Sequence, residues 1–155
     1  MNPYASFLGD RDPHVVVAET AANLGAQVER IGPDGLKRSP APGKWSAAAI
    51  LCHLADCEMV FGFRLRQALA EPAHVIQPFD QDAWAKPYAA LDGRAALDLF
   101  SAVRLWNLAL LATLAPEDFR RKLTHPERGE MTLETVVETM AGHDLNHLGQ
   151  LERIS

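Results

Sequence analysis

From Leu133 to Ile154 the chain places Leu133, Val136, Met140, His143, His147, Gln150 and Ile154 at alternating three- and four-residue intervals. That is the period of a helix with one buried stripe. A stripe this long has to be covered by other elements, so it points to helices packed on helices. Three consecutive stripe positions, His143, His147 and Gln150, are polar. A helix with only a packing role would carry leucine or isoleucine there, because a buried polar group without a partner is costly.

Three further stretches carry the same period between turn signals. Asp12-Pro13 reads as an N-cap and first-turn proline, followed by Val16, Val17, Thr20, Leu24, Val28 and Ile31 and a stop at Gly32-Pro33. Ser46 can cap a second helix that runs through Ile50, Leu54, Phe61, Leu65 and Leu69 to Glu71-Pro72. A third runs from about Gly93 to Leu114, with Leu97, Phe100, Leu105, Leu108 and Leu111 as its apolar face. Thr132 caps the last, with Glu134 near its positive end. Helices over about 13–31, 46–70, 93–114 and 132–154 predict an all-α four-helix bundle in one domain, 1–155. The segment from Pro72 to Asp92 reads as a long irregular loop covering something. Residues 119–131 read as a turn around His125-Pro126-Glu127-Arg128-Gly129.

His143 and His147 are four apart, so their rings project about 40° apart on adjacent turns of one face. In the second helix His53 interrupts the stripe of Ile50, Cys57 and Val60. His53 lies seven residues after Ser46 and His147 seven before Ile154. In antiparallel helices both would sit about 10 Å from the same end of the bundle. Three imidazoles at one level would make a divalent-metal site; hydrogen-bonded core histidines are the alternative. Asp144 follows His143, so the metalloprotease pattern H-E-x-x-H is absent.

Net charge is −5 and no basic stripe is present, which argues against nucleic acid and anionic membranes as partners. Cys52 and Cys57 would lie about 140° apart on one helix; they read as small buried hydrophobes in a reducing compartment. The N-terminus lacks the pattern of a leader, no apolar segment is long and charge-free enough to span a membrane, and a cytoplasmic protein is expected.

Lys44-Trp45-Ser46, His53-Leu54-Ala55-Asp56, Pro78-Phe79-Asp80-Gln81-Asp82-Ala83-Trp84 and Gly142-His143-Asp144-Leu145-Asn146-His147-Leu148-Gly149-Gln150 together resemble the DinB-like metal-binding bundles of the DinB/YfiT superfamily. The resemblance covers nearly the whole chain, with Ala49 standing where relatives often carry glutamate. It implies an up-down-down-up bundle, often a homodimer, with zinc, nickel or a similar ion on His53, His143 and His147. It also implies related activities that transfer low-molecular-weight thiols. Three protein ligands leave an open position, and an ion there lowers the pKa of a bound water or thiol. The candidate activities are thiol transfer and small-molecule hydrolysis, against a metal- or ligand-binding stress protein without turnover. Asp56 reads as a support for a ligand or as an ion pair, Arg64 as a carboxylate binder or an internal ion pair, and Gln150 as a substrate contact or an interhelix bridge. Asp144 points away from the ligand face and reads as solvated or ion-paired. Trp45, Trp84, Tyr88 and Trp106 read as core or as pocket wall. His14, His74 and His125 read as exposed or loop residues without chemistry.

Overall fold

The computed structural model describes residues 2–154. Four long helices form where the periodicity predicts them. Asp12 caps α2 (Pro13–Gly35) by accepting from the His14 amide, and Val17, Thr20, Leu24, Val28 and Ile31 are its buried stripe. The stop at Gly32-Pro33 is a break within α2. Gly32 takes φ 71°, a value only glycine adopts readily, and one further turn follows to Gly35. Ser46 caps α3 (Ala47–Ala70) by accepting from the Ala49 amide. Asp92 caps α5 (Gly93–Leu111), which ends short of the expected Leu114 in a turn closed by Ala112 and Thr113 amides. Thr132 and Thr135 form a reciprocal capping box at the start of α6 (Leu133–Glu152).

The buried apolar residues fall into two clusters, and these reveal the topology. One joins Leu24 to Ile31 of α2, Ala47 to Ala55 of α3, Ala96 and Phe100 of α5, and Leu148 and Leu151 of α6. The other joins Val17 of α2, Cys57 to Ala68 of α3, Leu111 of α5, and Leu133 to Ala141 of α6. Thus α2 and α6 run from the second cluster to the first, and α3 and α5 run from the first to the second. The order is up-down-down-up, as expected. Parallel α3 and α5 need a connection along the whole bundle, which explains the long segment between them.

That connection is not irregular. It contains β1 (His74–Val75), α4 (Gln81–Ala85) and a 3-10 turn at Tyr88–Ala90. Asp80 caps α4 by accepting from the amides of Asp82 and Ala83. The turn expected within 119–131 is a hairpin of β2 (Lys122–His125) and β3 (Gly129–Thr132), with Leu123 opposite Met131, and β1 pairs in parallel with β2. Leu123, His125 and Met131 are buried, so His125 is not the exposed loop residue that its turn-rich surroundings suggested. A short helix, α1 (Ala5–Leu8), packs against α6. Gly142 permits this approach: a Cβ there would lie 2.5 Å from the Tyr4 carbonyl oxygen.

The inward face of α5 also differs from expectation. Ala96, Phe100, Arg104, Asn107 and Leu111 are its buried stripe, while Leu105 is 70% and Trp106 69% exposed. An arginine at an inward position looks like a break in the apolar pattern, but here it has carboxylate partners inside the bundle.

Candidate metal centre

His53 of α3 and His143 and His147 of α6 meet at the level where the two apolar clusters divide. All three are buried. Their ring centroids are 5.2 Å apart for His53–His143, 4.9 Å for His53–His147 and 4.5 Å for His143–His147. The expectation of convergence is met, and the antiparallel course of α3 and α6 produces it.

The His53 and His143 Nε2 atoms lie 3.1 Å apart. Two imidazoles bound tetrahedrally at about 2.0–2.1 Å from zinc would hold their nitrogens about 3.3 Å apart, so the pair matches the bite of one ion. Tautomers follow from the outer partners. His147 Nδ1 is 3.0 Å from Gln150 Oε1; a ring N–H donated there leaves the Nε2 lone pair free. Among the described residues, His143 Nδ1 is buried without a hydrogen-bond partner, and Asp144 Oδ1 lies 3.9 Å away. That separation is too long for a hydrogen bond, but the carboxylate favours the proton on Nδ1 and the lone pair on Nε2. Burial, then the neighbouring His143 ring, pushes His53 down to about 3; burial, then His143 and His53, does the same to His147. Both are neutral donors near pH 7.

Cys57 is a donor that sequence reasoning set aside. It sits one turn below His53, with Sγ 3.5 Å from His53 Nε2. His53, Cys57 and His143 each offer an atom within 4.8 Å of the others. This set overlaps the expected three histidines but exchanges His147 for Cys57. Burial, followed by the Asp56 charge, pushes the Cys57 thiol up to about 12, which keeps it protonated. His53 and His147, already neutral, can bind an ion without first losing a proton.

Behind the histidines lies a charged layer that periodicity did not reveal. Arg104, only 1% exposed, donates through Nε and Nη2 to both oxygens of Glu58 (2.9 and 2.6 Å). Its Nη1 donates to Asp144 (2.8 Å) and to the Val17 carbonyl (2.8 Å). One guanidinium thus joins α2, α3, α5 and α6. Asn107 completes Glu58 by donating at 2.7 Å. Asp144 is ion-paired, as one of its two expectations had it, but in the interior. Burial is the largest influence and opposes its charge, yet Arg104 and the neighbouring His143 together outweigh burial and hold the carboxyl below its usual range. Two carboxylates against one guanidinium leave about one negative charge beside His143, a favourable setting for a cation.

Two cavities open onto the histidines. One, about 600 Å³, is lined by Trp45, His53, Asn146, His147 and Gln150; the other, about 360 Å³, is lined by Cys57, Phe61, Arg64, His125, Arg128 and His143. Tyr4 and Gln81 border both. Trp45 packs at a tilt with its ring 4.8 Å from that of His53, and Tyr88 packs on Trp45 at 6.0 Å. Asp56 accepts a 2.6 Å hydrogen bond from the Tyr88 hydroxyl, so it supports this aromatic wall. Trp84 and Trp106 are exposed and away from the histidine cavities. His14 pairs with Glu134 at the surface, whereas His74, expected to be an exposed or loop residue, lies in β1 with its side chain only 9% exposed and pairs with Glu71.

Comparison with known proteins agrees with this architecture. Residues 17–151 match the family model described as the DinB superfamily. A protein of Oceanobacillus iheyensis, named "Putative metal-dependent hydrolase", is 33% identical over 110 residues, covering 70% of this chain and 64% of its own length. The Bacillus subtilis protein named "Putative metal-dependent hydrolase YfiT" is 29% identical over 143 residues, covering 90% of this chain and 80% of its own. The solved structure of that protein, described as a probable metal-dependent hydrolase with an unusual four-helix bundle topology, superposes with a TM-score of 0.84. That superposition covers 92% of this chain and 83% of the other at 28% identity.

Proposed function

The chain belongs to the DinB superfamily, and from that membership we propose that it is a divalent-metal-dependent enzyme acting on a small molecule. The observation that carries this reading is the 3.1 Å approach of the buried His53 and His143 Nε2 atoms beside the neutral imidazole of His147. His53, His143 and His147 would hold the ion, and imidazole donors suit zinc or nickel. When bound, the ion supplies positive charge and an open position that lower the pKa of a water or a thiol. The chain's own residues do the rest. Gln150 fixes the His147 ring through Nδ1, Asp144 favours the same tautomer of His143, and Trp45 shields the His53 face.

Hydrolysis is the first reading, because the relatives named above are called hydrolases. Thiol transfer is the second, favoured by the two cavities that meet at the histidines. A hydrolase needs room for one organic substrate, whereas a transferase needs room for a thiol and an electrophile. Elemental analysis of protein purified without a histidine tag should give one divalent ion per chain, lost in the His143→Ala His147→Ala variant. Unchanged metal content in that variant would sink the site. Assays of ester and amide hydrolysis, run beside conjugation of glutathione, bacillithiol, mycothiol and coenzyme A to electrophiles, then choose between the two reactions.

A further inference from the structure

The smaller cavity contains more positive charge than its walls neutralise. Arg64 of α3 and Arg128 of the β2–β3 turn both line it, as does the buried His125. Among the described residues no carboxylate lies within ion-pair distance of either guanidinium, and the Arg64 Nε is buried without a hydrogen-bond partner. Glu127 also lines the cavity but is exposed and pairs with neither arginine. The arginines oppose one another: after burial, the Arg128 charge is the main influence lowering the Arg64 value, and it also lowers His125. An arrangement of this kind is unfavourable alone and is relieved by an anion. Next to the charges the wall is apolar. The Arg64 guanidinium carbon lies 5.9 Å from the Phe61 ring centre and 6.0 Å from that of Phe79, while His143 closes the inner end.

We infer that this cavity is a subsite for the carboxylate of an organic substrate, bound by Arg64 and Arg128 with the apolar body against Phe61 and Phe79. The planar guanidinium fork matches a two-oxygen anion. A volume of about 360 Å³ is at the low end of small-molecule sites, so it suits one arm of a substrate whose reacting bond lies at the histidines. In that last respect the inference rests on the proposed function; the anion site itself does not.

Benzoate is a suitable probe and benzamide its neutral counterpart, each titrated calorimetrically into metal-loaded protein. Benzoate should bind, and Arg64→Gln and Arg128→Gln should each weaken it at least about tenfold, as loss of a charge-assisted hydrogen bond implies, with metal content unchanged. Arg128 lies in an exposed turn, so its variant tests the idea even if the Arg64 variant misfolds. Equal binding of benzamide, or benzoate binding unaffected by both substitutions, would overturn the subsite. So would benzoate binding that vanishes with the metal yet ignores the arginines, since the carboxylate would then sit on the ion. Arginine-dependent benzoate binding by protein that takes up no metal would support the subsite while sinking the metal reading.

Discussion

At the residue scale the histidines differ from their neighbours in what holds them. Of the α6 histidines, His147 has a hydrogen-bond acceptor at Nδ1, Gln150, whereas His143 has only the Asp144 charge 3.9 Å away. Replacing Gln150 by leucine should therefore weaken metal binding about 10- to 100-fold, the usual effect of losing a ligand's supporting hydrogen bond, as read by competition with a chromophoric chelator. Cys57→Ser should leave metal content intact, because the three imidazoles supply the donor set without it; loss of the ion would make Cys57 a ligand in place of His147. The histidines also set a pH dependence. In metal-free protein the His53 and His147 values are near 3, against an ordinary 6.5. A depressed value means that the unfolded chain binds protons first. The stability from these groups is present above about pH 6.5 and is lost as pH falls toward 3. Urea midpoints of metal-free wild type should fall across that window, and those of the His53→Ala His147→Ala variant should fall less. His53, His143 and His147 were legible in the sequence because each interrupts an apolar stripe. Cys57 was not, because a cysteine in such a stripe looks like any small hydrophobe.

At the scale of elements, the lesson lies in α5 and in the hairpin. The face of α5 was misread because Leu105 resembles a core residue and Arg104 a surface one. Only the positions of Glu58 and Asp144 on two other helices reverse that assignment, and no periodicity within α5 carries them. The hairpin was illegible for a related reason: its four-residue strands mix charged and apolar positions, too few for a period of two to stand out. Arg104→Met should destabilise the fold by about 3–5 kcal/mol, since it leaves two buried carboxylates without their cation. A urea midpoint that hardly moves would mean that the network is not the clamp its geometry suggests. Gly142→Ala would push a methyl group against Tyr4, whose ring packs 5.2 Å from that of His143. The N-terminal helix should lift from α6, seen as faster amide exchange over residues 4–8.

At the scale of the molecule, the core is two apolar compartments separated by one polar layer. That layer holds the three histidines on one side and Arg104, Glu58, Asn107 and Asp144 on the other. The charged side is satisfied within the chain, and it ties all four long helices together without any ion. Among the described residues, the histidine side is left with two Nε2 atoms 3.1 Å apart and an Nδ1 without a hydrogen-bond partner. This division of labour predicts how metal removal behaves. The chelated protein should keep its helical circular dichroism at 25 °C, because the Arg104 layer and both apolar compartments persist. Its melting temperature should still drop, because an ion that binds only the folded state stabilises it by about 4 kcal/mol when present at a thousandfold excess over its Kd. In the His143→Ala His147→Ala variant the melting temperature should not respond to the chelator. If chelation instead unfolded the wild type completely, the ion would be a structural requirement of the bundle. The open position proposed for substrate would then need its own evidence, since closed sites are the usual form of structural metal.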